Sequence, residues 1–108
     1  MLSMFNGTEG AHISLGDASV LTANHRAANP GQVLAHFFGK NILQEILTQD
    51  GCVGIRIYLG QDESGTSKLV IVGADSGGND MIDGVIGDFA YPCPSHCGNK
   101  NSLNSSEA

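Results

Sequence analysis

A chain of 108 residues, 41% of them hydrophobic and 15% charged, is long enough to fold as one domain that buries roughly 65% of its unfolded surface without metals or disulfides. Five Lys and Arg against eleven Asp and Glu give a formal charge of −6. That sign opposes nucleic acid, whose phosphates call for cations, and anionic membrane surfaces as well. Fifteen glycines favour loops and tight strands over long idealised helices.

The opening MLSMFNGTEG has no basic region followed by an apolar run, so no secretion signal is expected. No run approaches transmembrane length. These features read as a cytoplasmic protein whose three cysteines, odd in number, stand as reduced thiols. Residues 1–12 read as a flexible lead-in, 13–97 as a single α+β domain and 98–108 as a polar, disordered tail.

A first helix is expected over 14–28. Ser14 is its N-cap, with Asp17 three residues on in a weak capping box, and Ile13 is placed to staple onto Ala18. Leu15, Ala18, Leu21 or Thr22, His25 and Ala28 recur at helical spacing, and Asn29-Pro30-Gly31 stops the helix. His25, on or beside that stripe, reads as a packed or capping histidine rather than a catalytic one. Further on, the apolar pairs Val33/Leu34, Phe37/Phe38, Ile42/Leu43 and Ile46/Leu47 slip in phase near Gly39. The spacing predicts a second helix over 39–48 after an irregular or partly extended segment that carries His36. A continuous helix kinked at Gly39 is the alternative.

Asp50-Gly51 turns the chain into its central pattern. In Cys52–Leu59, Val53, Ile55, Ile57 and Leu59 alternate with Gly54, Arg56 and Tyr58, which is the period of a strand with two unlike faces. Leu69–Ala74 is apolar on both faces, as suits a central strand. Asp62–Ser67, acidic and small around Gly65, has the chemistry of a hairpin loop. An antiparallel hairpin over 52–60 and 68–75 follows. Asp75-Ser76-Gly77-Gly78-Asn79-Asp80 offers oxygens to Ca²⁺, but its spacing does not fit the twelve-residue EF-hand loop and it reads as a turn. A third strand is expected over 84–91, with Asp88 marking an exposed edge. The expected class is therefore α+β, an antiparallel sheet of about three strands with both helices packed on one face.

Pro92-Cys93-Pro94-Ser95-His96-Cys97 is the most chemically suggestive segment. Cys93, His96 and Cys97 are three candidate zinc ligands, and the remaining donors would have to come from Cys52, His12, His25 or His36. Thiol chemistry is a second reading, since a neighbouring imidazolium makes thiols more reactive. The cysteines are spaced by three residues rather than the two of a thioredoxin-type motif, and the Cys-x-His first half of a Rieske box is missing. The third reading is an inert end cap, in which two prolines end the strand by removing ladder donors.

Together GCVGIRIYLG, LVIVGADSGGNDM and PCPSHC, preceded by AHFFGKNILQEIL, resemble a group of small uncharacterised bacterial proteins of the Bacteroidetes type. The resemblance spans Ile13 to Cys97. It implies a bacterial cytosolic protein and brings neither an activity nor a site residue.

Two functional readings stand. One is a non-catalytic binding or scaffold module that pairs with a copy of itself, as a homodimer, or with another protein. Arg56 and Tyr58, on one face of the first strand, are side chains of the kind interfaces favour. The other is a metal-binding or thiol-redox protein working through Cys93, His96 and Cys97. Nothing resembles a nucleophile elbow or a phosphate loop.

Overall fold

The computed structural model describes residues 3–106. It is α+β: helices α1 (Leu15–Ala28) and α2 (Lys40–Leu47), and strands β1 (Ala35–Phe37), β2 (Cys52–Gln61), β3 (Ser67–Asp75), β4 (Ile86–Gly87) and β5 (Tyr91–Cys93). The strands form a three-stranded sheet, β2-β3-β4, and a two-stranded one, β1-β5, each antiparallel. The chain divides into two compact units. One holds residues up to Gly10 with Phe38–Ala90, the other Ala11–Phe37 with Tyr91 onward.

In the first unit the expected hairpin is present, β2 and β3 pairing in register from Gly54↔Ala74 to Gln61↔Ser67, with a bulge at Val53. Its loop is built by Asp62, whose Oδ1 accepts from the Ser64 and Thr66 N–H groups at 2.9 and 3.0 Å while Gly65 takes φ +84°. Directly paired residues share a face, so Ile55, Ile57 and Leu59 lie on the side of Ile71 and Gly73. Arg56 and Tyr58 lie on the side of Val70 and Val72.

Helix α2 packs on the first of these faces. Ile46 is 0% exposed and Ile71 nearly so. The helix comes close because Gly73 and Gly87 present no side chain: a Cβ at Gly73 would stand 3.3 Å from Ile46 Cγ2, and one at Gly87 would stand 3.1 Å from Ile42 Cγ1. Gln49 closes the helix end by donating to the Ile46 carbonyl at 2.9 Å and accepting from the Val85 N–H at 2.8 Å.

Two expectations are corrected. The third strand is not 84–91: only Ile86 and Gly87 pair with β3, Phe89 takes φ 60°, and Tyr91–Cys93 joins a different sheet. A β-region ladder cannot continue through a left-handed residue. Of the two helices expected on one face, only α2 belongs to this sheet's unit.

In the second unit, Ser14 caps α1 by accepting from the Asp17 N–H at 3.0 Å. Asn29 closes the helix, donating from its backbone and its side chain to the His25 carbonyl at 2.9 and 3.1 Å. The half-covered face of α1 runs through Ala18, Thr22 and Arg26, whereas Leu15 and Leu21 are exposed. The short strand β1, extended as its segment suggested, pairs Ala35↔Cys93, His36↔Pro92 and Phe37↔Tyr91. Pro92 fits because a two-stranded sheet is all edge. Residues 98–106, expected as a disordered tail, carry hydrogen-bonded turns around Asn101 and Asn104, and Arg26 donates to the Leu103 carbonyl at 3.0 Å. Among the described residues no helix is long and apolar enough to cross a membrane.

Candidate interface at the open edge of the hairpin

Strand β2 is one of the two edge strands of its sheet and, at ten residues, the longest strand among the described residues. Its outer edge therefore presents backbone donors and acceptors that no strand of the sheet pairs. The exposed end of the hairpin is thinner still, because β4 pairs only with Ile71 and Val72 and leaves Ser67–Val70 bonded on one side. There the helix-side face is open: Ile57 is 58% and Leu59 89% exposed. A two-stranded ribbon with an uncovered apolar face is marginal in water by itself.

A cleft of about 470 Å³ lies beside this part of β2, lined by Val53, Gly54, Ile55, Arg56 and Ile57 with Ala74 of β3 on one side and by Phe5, Gly7 and Glu9 on the other. Ala74 is paired with Gly54, so the cleft reaches from β2 over the neighbouring strand. Its far wall is the N-terminal arm. Met4 and Phe5 donate to the Ser76 carbonyl at 2.6 and 3.0 Å, and Gly7, at φ +95°, turns the arm so close to the Val53 carbonyl that a Cβ there would lie 3.3 Å from it.

The polar face of β2 is organised by a residue that sequence reasoning placed in a turn. Asp80 Oδ1 accepts from Arg56 at 2.5 Å and its Oδ2 accepts from the Tyr58 hydroxyl. Arg56 also donates to the Gly78 carbonyl at 3.0 Å and lies over the Phe5 ring, 5.6 Å from its centroid. The two interface candidates are thus brought together on one carboxylate. Tyr58, then Arg56, hold the Asp80 carboxyl below the usual carboxylate range, and the same bond from the other side raises the Tyr58 phenol. Glu9 is also held low, first by its own N–H and then by that of Asn6. Neither Phe5 nor Asp80 carries a local sequence signal for this role: Asp80 lies 22 residues from Tyr58, and Phe5 is farther still from Arg56.

A carboxyl with a depressed folded-state pKa stabilises the fold above its unfolded pKa, near 3.9 for Asp, and that contribution is lost as pH falls through the lower folded value. The melting temperature is therefore expected to drop on acidification below about pH 4, and Asp80→Asn is expected to flatten part of that drop. Melting curves of both proteins from pH 7 to 2.5 check it, and parallel curves would refute the role of Asp80.

The Cys93-to-Cys97 segment lies in the second unit. Its two cysteines are joined by a disulfide, Cα to Cα 4.7 Å, which corrects the expectation of three reduced thiols; Cys52 alone is free. The bond closes a loop of sequence separation 4, so in the chain-entropy description it contributes only about 2 kcal/mol. His96 packs its ring on Tyr91, centroids 4.8 Å apart. Sulfurs bonded to each other offer no thiolate to zinc, and among the described residues no three His, Cys, Asp or Glu side chains are grouped to hold a metal ion. Asp75, in the loop weighed for Ca²⁺, spends Oδ1 on the Gly77 and Asn79 N–H groups at 3.0 Å each, as a turn does.

Comparison with protein-family models, curated proteins and solved structures finds no match.

Proposed function

We propose that this chain is a binding module that pairs with a second copy of itself along the open edge of β2. The observation that carries the reading is the ten-residue edge strand with Ile57 and Leu59 exposed. Strand addition to such an edge supplies main-chain hydrogen bonds, and alternate side chains supply selectivity.

The pattern of β2 favours a copy of itself as the occupant. In an antiparallel pairing about a two-fold axis at Ile57, that residue meets its own counterpart and Ile55 meets Leu59 on the apolar face. On the other face Arg56 meets Tyr58. Every such pair is favourable across strands, and the arrangement is isologous, as a closed dimer requires.

Light scattering of the purified chain from micromolar to near-millimolar concentration is expected to show the mass rising to that of two chains. A mass of one chain throughout would refute the reading.

A further inference from the structure

We infer that the Cys93–Cys97 bond is an exchange site that oxidises an external dithiol, and this inference is independent of the proposed dimer. Three observations converge on it. First, β5 is already held without the bond, by its pairing with β1 and by the Leu34 N–H donating to the Cys93 carbonyl at 2.7 Å. A cross-link over a separation of 4 constrains little chain, so its structural contribution is small. Second, the two cysteines are unequally exposed, Cys93 being 6% exposed and Cys97 an exposed residue. Exposed disulfides are the labile ones, and attack falls on the sulfur that can be reached. Third, both cysteines line one cleft of about 410 Å³ together with His36, His96, Leu34 and Phe37. It offers an apolar wall for the residue beside a substrate thiol and two imidazoles, each able to accept or donate a proton.

A substrate thiolate attacks the Cys97 sulfur, a new S–S bond forms, and the Cys93–Cys97 bond breaks with its electron pair leaving on Cys93, which takes up a proton. The second substrate thiolate attacks the substrate sulfur of that mixed disulfide and releases Cys97, which is protonated in turn. The dithiol has become a disulfide, and its two electrons and two protons reside on Cys93 and Cys97. The substrate class is a small or exposed dithiol. In the reverse direction Cys97 is the nucleophile and Cys93 the resolving thiol.

The test uses the full chain with Cys52→Ser, which removes the one free thiol. Dithiothreitol serves as the dithiol, and alkylation with mass measurement reads the redox state while circular dichroism reads the fold. One dithiothreitol oxidised per chain is expected, with the fold unchanged and the bond re-forming under glutathione disulfide. Reduced Cys93→Ser is expected to take glutathione onto Cys97 about tenfold or more faster than Cys97→Ser takes it onto Cys93, following accessibility. A bond that resists dithiothreitol until the fold is lost, or equal capture by the two cysteines, overturns the assignment. If either variant fails to fold, the dithiothreitol titration of the parent chain decides alone.

Discussion

Ile46→Ala is expected to remove roughly 2–5 kcal/mol of stability from the unit that carries the hairpin, the range for truncating a buried Ile or Leu. Ile46 is fully buried, and among the described residues the other buried hydrophobic side chains of that unit are Ile71, Val72 and Ala74. So few buried side chains leave little redundancy. The site also resists collapse: the position beneath Ile46 is Gly73, which has no side chain to move into the space, with Gln49 Nε2 and Cys52 Sγ already beside it. A domain of ordinary stability, roughly 5–15 kcal/mol, would lose a large fraction of it. Leu47, next along α2 and 48% exposed, supplies the internal comparison, since Leu47→Ala removes atoms that water already touches in part. Urea denaturation followed by circular dichroism should separate the two variants clearly. Equal losses would mean that α2 is not what seals the sheet.

What the sequence revealed and what it concealed divide along one physical line. The hairpin and the Ser14 cap are local: alternation, a polar loop with one glycine and a hydroxyl three residues before an acceptor-hungry N–H leave their mark within a few neighbours. Strand β1 and the split of 84–91 into β4 and β5 are not local. Ala35–Phe37 becomes a strand only because Tyr91–Cys93 lies against it, and three residues give no periodicity to read. Likewise Gly84–Tyr91 carries apolar residues at strand spacing, yet Phe89 at φ 60° turns the chain out of the ladder, and nothing in a phenylalanine announces that conformation.

The same division holds for the sites. Arg56 and Tyr58 could be placed on one face of a strand from alternation alone, but the carboxylate that fixes both comes from Asp80, beyond the next strand and its turn. The cleft depends on an arm, Phe5 to Glu9, whose single glycine and polar residues suggest only a loose lead-in. Cys93 and Cys97 were legible as a pair but not as a bonded one, because spacing does not fix the geometry a disulfide needs.

Leu59→Lys is expected to weaken self-association about a hundredfold or more while leaving the folded chain intact. Leu59 is 89% exposed, so in the separate chain the substitution removes almost no buried contact, and lysine keeps good solubility at a strand edge. In the proposed pairing each copy buries its Leu59 against Ile55 of the other. Burial of a leucine side chain contributes roughly 1.5–3 kcal/mol, and the two-fold axis counts it twice, so the loss is at least about 3 kcal/mol, or some two orders of magnitude in Kd. Two ammonium groups brought to the same apolar face add a desolvation cost of the same sign. Sedimentation or light scattering across a concentration series reads the shift, and an unchanged melting temperature at low concentration confirms the fold. A control in the exposed hairpin loop beyond the end of β2, Glu63→Lys, carries the same type of new charge outside the paired strand and is expected to leave Kd within a few-fold. If Leu59→Lys and Glu63→Lys behave alike, the second copy does not sit on β2, and the open edge must be explained by another occupant.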